Sequence, residues 1–75
     1  MQITLYTLPT CGICHMIKTK LQNKNILFEE KNFEDIAEAI HSNRAPALEI
    51  IDDNGNITIY NNPSAMVTWL ENQKG

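Results

Sequence analysis

Seventy-five residues with 43% apolar composition make one domain with one core, and exclude a disordered chain. The net charge of −3 comes from interspersed acidic and basic residues, so no basic stripe marks a nucleic-acid partner. No apolar run approaches the ~20 residues of a membrane span.

The first segment, Met1-Gln2-Ile3-Thr4-Leu5, lacks the basic and long apolar regions of a secretory leader, so a reducing cytoplasmic setting is expected. Ile3, Leu5 and Thr7 alternate with Gln2, Thr4 and Tyr6, which predicts a first strand ended by Pro9. Thr10 is the expected N-cap of a helix running from about Cys11 to Asn23. Cys14, Ile17, Lys18 and Leu21 fall on one face of that helix, and Asn23-Lys24-Asn25 closes it. Ile26 to Lys31 reads as a second strand. A shorter helix begins at Asn32-Phe33-Glu34, with Phe33, Ile36, Ala37 and Ile40 as its inner stripe. Arg44-Ala45-Pro46 leads into a third strand, Ala47 to Asp52. Asp53-Asn54-Gly55-Asn56 is a hairpin turn before the fourth strand, Ile57 to Tyr60. Asn62 caps the last helix with Pro63 at its first position, and Met66, Trp69 and Leu70 form its apolar face. The order β-α-β-α-β-β-α predicts an α/β fold across residues 1–75, with a four-stranded mixed sheet covered by helices.

Cys11 and Cys14 are the two cysteines of the chain, and they sit where the first strand gives way to a helix. On the chain-entropy account a four-residue ring stabilises by about 2 kcal/mol, against about 4.5 for a ring spanning most of the chain. The spacing therefore suits thiol–disulfide chemistry better than bracing. Orphan N–H groups and the dipole of the first helical turn favour a thiolate at Cys11. Cys14, one turn deeper on the same face, is placed to form the disulfide. Cys11 is thus the expected nucleophile and Cys14 the resolving thiol. Gly12 can keep the reactive sulfur open. Lys18, four residues after Cys14, and His15, four after Cys11, can favour a thiolate, meet an acidic partner, or simply solvate the helix face.

The stretch strand-Pro9-Thr10-Cys11-Gly12-Ile13-Cys14-helix, followed by Arg44-Ala45-Pro46-Ala47-Leu48 at a strand start, resembles the thioredoxin superfamily. The chain's length and element order resemble its glutaredoxin branch. The resemblance implies a thioredoxin-like fold and a thiol–disulfide oxidoreductase, with no bound cofactor and glutathione as a possible reductant. It implies a cis bond before Pro46, a backbone at Ala45 that pairs with a bound peptide or glutathione, and Tyr6 or Leu8 at the rim of the groove. Protein disulfides are the expected substrates, glutathione or thioredoxin reductase the electron source, and a monomer the working form. Some such redoxins serve ribonucleotide reductase, and that reading stays open.

Two departures bear on glutathione. Leu8 stands where glutaredoxins usually carry a basic residue, and Asn61-Asn62-Pro63-Ser64 replaces the Gly-Gly-x-Asp that opens their last helix. N–H groups near Ser64 can still meet a carboxylate, but weak glutathione binding is expected. Cys11-Gly12-Ile13-Cys14-His15 also spells the c-type haem attachment pattern. Haem needs a second axial ligand, with Met16 and Met66 the distant candidates, and usually an exported chain, so it is the minor reading. A structural zinc needs four ligands. Cys11, Cys14, His15 and His41 do not complete one in a single chain, so no metal is expected; an iron–sulfur cluster shared between two chains is the alternative.

Overall fold

The computed structural model describes residues 1–73. In the first strand, β1 (Gln2–Thr7), Ile3 and Leu5 face one side and Thr4 and Tyr6 the other, and all four are buried. A strand buried on both faces must lie inside the sheet. It does: with β2 (Glu29–Asn32), β3 (Ala47–Ile51) and β4 (Ile57–Tyr60), the order is β2-β1-β3-β4. β1 and β2 run parallel, joined across α1 (Gly12–Asn23). β3 lies antiparallel to β1, opposing Leu48 to Leu5, and β4 returns antiparallel beside β3. The expected mixed α/β sheet and element order are therefore present.

The helices divide the core in two. Ile17 and Leu21 of α1 and Met66 and Leu70 of the last helix, α3 (Pro63–Glu71), pack over Ile3, Leu5, Leu48 and Ile50. On the opposite face the single turn α2 (Glu34–Ala37) and Phe33 before it set Phe33 and Ile36 against Tyr6 and Ala47.

Three boundaries differ from expectation. The N-cap of α1 is Cys11, with extended backbone, and Thr10 is exposed outside the helix. The second strand starts at Glu29 rather than Ile26 because the end of α1 consumes the intervening chain. Asn25 turns left-handed (φ 58°), and its N–H donates to Gln22 O while that of Ile26 donates to Leu21 O, a Schellman closure. Ile26 then packs on the core instead of pairing in the sheet. The second helix is reduced to one regular turn, and a similar left-handed closure at His41 (φ 52°) ends the winding just beyond Ile40. Asp52 leaves β3 to organise the hairpin turn. Its carboxylate accepts from the N–H groups of Asn54 and Asn56 at 2.9 Å each, which holds it below the usual carboxylate range, with the Asn56 bond the largest cause.

This topology gathers separate segments at one end of the sheet. β1 runs out at Thr7 towards the cysteines, and Tyr6 pairs with Ala47, so the 44–46 segment enters at the same end. Leu48 pairs with Tyr60, so β4 leaves there too and delivers Asn61, Asn62 and the start of α3. In sheets with parallel strands this end, outside their carboxyl termini, is where sites form.

Candidate active site

Cys11 and Cys14 are joined as a disulfide, with Cα atoms 5.2 Å apart. Their surroundings differ. Cys14 is 2% exposed, closed in under the first turn of α1, whereas Cys11 is partly open to solvent. The Cys11 sulfur accepts the Cys14 N–H at 3.0 Å, so it takes the place a Ser or Asp side chain holds at an ordinary N-cap. An acceptor there meets one of the helix's orphan donors and its positive dipole end. Negative charge on Cys11 is favoured by the same geometry.

Gly12, the first residue of α1, is exposed, and a β-carbon built on it meets nothing within 4 Å. No internal packing requires glycine there. Gly12→Ala is expected to leave stability unchanged or raise it by up to about 1 kcal/mol, while slowing exchange with folded protein disulfides several-fold. Thermal denaturation beside rates on a protein and on a small disulfide checks this; a clear loss of stability would show that Gly12 is needed by the fold. Ile13 and Met16, about half exposed, add apolar surface beside the sulfur.

Lys18 turns to an acidic partner. Its Nζ lies 2.9 Å from Glu30 Oε1 on β2, and Thr7 Oγ1 donates to Glu30 Oε2 at 3.0 Å. The Lys18 bond, then that of Thr7, holds the Glu30 carboxyl below its usual range. Both side chains of the ion pair are over one-third exposed or nearly so, which limits the pair to under about 1 kcal/mol. Its role is to tie α1 to β2 near the cysteines. His15 is exposed.

Tyr6 is 8% exposed and belongs to the second core cluster with Phe33 and Ala47, so it is not a rim residue. Burial first, then the Glu49, Asp35 and Glu29 carboxylates, raise its phenol above the ordinary value. Leu8 and Ala45, partly buried, pack against that cluster and remain at the surface. The Ala45–Pro46 bond is cis, as the resemblance implies, and Pro46 is fully buried.

At the start of α3, Asn62 Oδ1 accepts the Ser64 N–H at 2.8 Å. One of the N–H groups near Ser64 expected to meet a glutathione carboxylate is therefore already satisfied by the chain itself. Asn61 was not singled out by sequence reasoning. Its Nδ2 donates to both Arg44 O and Pro46 O, each at 2.9 Å, and ties β4 to the segment before β3. An Asn between a strand and a helix cap carries no pattern that would have flagged this. Glu30 was likewise missed, since its partner Lys18 is set by sheet register.

Two surface hollows lie away from the cysteines. One of about 510 Å³ is lined by Lys18, Gln22, Phe28 and Glu30, and one of about 560 Å³ by Ala37, Glu38 and His41. Neither is lined by a cysteine, and Cys11 is itself partly open to solvent. Among the described residues, no three His, Cys, Asp or Glu side chains converge as metal ligands. No helix among them is long and apolar enough to cross a membrane.

Comparison with known proteins agrees with this geometry. A family model described as glutaredoxin matches residues 3–52. Among solved structures, the glutaredoxin-like NrdH-redoxin from Escherichia coli, characterised by a thioredoxin-like activity profile, superposes with TM-score 0.63 at 25% identity. That match covers 91% of this chain and 93% of the other. The trimeric glutathione transferase TDR1 from Leishmania matches with TM-score 0.70 at 16% identity, over 93% of this chain. The chain spans 17% of that protein's length, and the likeness is one of fold. Curated protein sequences give no match.

Proposed function

The chain belongs to the glutaredoxin family and is a thiol–disulfide oxidoreductase, and on that premise we propose that its dithiol is a general reductant of protein disulfides with no dedicated specificity for glutathione mixed disulfides. The observation that carries this reading is the unequal pair: an accessible Cys11 sulfur held at a helix N-cap beside a buried Cys14.

In the reduced enzyme the Cys11 thiolate attacks one sulfur of the substrate disulfide. A Cys11–substrate bond forms and the substrate S–S bond breaks, releasing the other substrate sulfur as a thiolate that takes up a proton. Cys14 gives up its proton and attacks the Cys11 sulfur. This frees the second substrate thiol and leaves the Cys11–Cys14 disulfide, with two electrons transferred to the substrate. An external dithiol or reductase returns them. During the mixed-disulfide stage the substrate backbone pairs with Ala45 as an added strand residue, with Pro46 behind it and the Ile13 and Met16 side chains beside it.

Two observations support the lack of a glutathione preference. Asn62 occupies the Ser64 N–H, one of the helix-start donors open to a γ-glutamyl carboxylate. Leu8 offers that ligand no charge. The likeness to NrdH-redoxin, whose activity profile is thioredoxin-like, favours thioredoxin reductase as electron source; ribonucleotide reductase is a candidate acceptor on the family resemblance alone. A monomer in a reducing cytoplasm is the setting this chemistry suits.

Steady-state kinetics with a glutathionylated peptide and a matched non-glutathione peptide disulfide test the proposal, run with glutathione plus its reductase and separately with thioredoxin reductase. Comparable kcat/KM on both substrates is expected, within about tenfold. A large preference for the glutathionylated peptide, lost on altering Asn62, would overturn it.

A further inference from the structure

We propose that Asn61 is the positioning residue for substrate backbone recognition, acting through the Arg44–Ala45 and Pro46–Ala47 peptide units that bracket Ala45 and Pro46. The inference rests on the reading of Ala45 as the strand-pairing residue.

The argument starts from peptide planarity. The Arg44 C=O and the Ala45 N–H belong to one planar unit and point in opposite directions across it. Whatever grips the Arg44 oxygen therefore aims the Ala45 N–H the other way. Asn61 Nδ2 grips that oxygen at 2.9 Å. The same nitrogen holds Pro46 O at 2.9 Å, in the peptide unit that leads into β3. An amide nitrogen carries two hydrogens, and here there is one for each carbonyl. The segment is thus pinned on both sides of Ala45. Ser42 adds a local brace, its Oγ accepting the Arg44 N–H at 3.2 Å. The Ala45 N–H and C=O make no hydrogen bond among the described residues. Ala45 is part-exposed at the sheet end that also carries Cys11. A pinned frame around an unpaired peptide edge is a preorganised docking strand, one whose ordering cost is met before the partner arrives.

Asn61 touches neither substrate nor sulfur, so its loss should change recognition and not chemistry. The test compares three substrates: a disulfide-bridged peptide, the same peptide N-methylated at the backbone amides flanking its cysteine, and a small disulfide with no peptide bond. Wild type is expected to prefer the unmethylated peptide about tenfold, the worth of one or two net hydrogen bonds. Asn61→Ala and Asn61→Asp are expected to lose most of that preference through KM. Asn61→Asp keeps the shape but presents acceptor oxygens to two carbonyls. Turnover of the small disulfide and the pH dependence of Cys11 alkylation should stay as in wild type, which also reports that each variant is folded. If wild type does not distinguish the two peptides, the Ala45 reading itself fails. If wild type distinguishes them and both variants do so equally well, Ala45 stands and the role given to Asn61 is wrong. If small-disulfide turnover falls as far as peptide turnover, Asn61 is merely structural.

Discussion

Cys11→Ser is expected to reduce disulfide exchange by at least about a thousandfold, since no second nucleophile stands at the helix start. Cys14→Ser should still attack but should stall, accumulating a mixed disulfide on Cys11 visible as a mass increase equal to the substrate thiol. The difference follows from burial. A folded partner can reach the part-exposed Cys11 sulfur, whereas Cys14 is 2% exposed and can meet only the Cys11 sulfur itself. The N-cap geometry adds a pH signature. With the Cys14 N–H and the helix dipole favouring its anion, the reduced Cys11 should titrate below the ~8.5 of a free thiol. Alkylation at fixed reagent should therefore rise with pH through that lower value and level off above it. Faster labelling of Cys14 than of Cys11, or a mixed disulfide trapped on Cys14, would reverse the assignment.

Much of the fold was legible because its signals are local. Ile3, Thr4, Leu5 and Tyr6 alternate in a way that only a strand satisfies, and Asn62-Pro63 marks a helix start with a donor-free first residue. The misplaced boundaries share a cause. Ile26 and Phe28 are apolar and read as strand, but the Schellman closure at Asn25 draws Ile26 onto the core before pairing begins. Nothing in Asn23-Lys24-Asn25 alone tells whether the chain closes one residue earlier or later. Thr10 is the more usual capping residue, yet Cys11 occupies the cap, and the functional demand for an N–H on sulfur coincides with that exception.

The site was legible in its chemistry and not in its supports. Cys11, Cys14 and Pro46 are announced by spacing and resemblance. Asn61 and Glu30 are not, because their partners lie 17 and 12 positions away, Arg44 and Lys18, and the pairing depends on which strand ends share an edge of the sheet. Tyr6 shows the same limit from the other side: the resemblance implies a rim position, whereas its place on a central strand puts the ring in the core.

Two leucines turn the division between core and surface into a measurement. Leu48 is fully buried, opposed to Leu5 in the sheet and packed in the cluster that α1 and α3 cover. Leu48→Ala is expected to cost about 2–5 kcal/mol, from lost transfer energy and the cavity left behind. A domain of this size holds about 4–11 kcal/mol in total, so much of its stability goes and Tm falls by roughly 10–30 °C. Leu27 is 92% exposed in the connection between α1 and β2. Leu27→Ala removes the same atoms from water rather than from a core, so it should change stability by no more than about 0.5 kcal/mol. The two variants differ only in where the side chain lies, so thermal and urea denaturation of the pair isolates burial from composition. Equal losses would mean that the 26–28 segment packs differently from the arrangement described. A mild Leu48→Ala would mean that the centre of the sheet is not the keystone of the α1–α3 face. Because Leu48 lies two residues beyond Pro46, in the strand that Pro46 leads into, a destabilised variant should also loosen peptide recognition. At temperatures where it remains folded, its small-disulfide turnover should match wild type, because Cys11 and its N–H donor sit on β1's extension and α1.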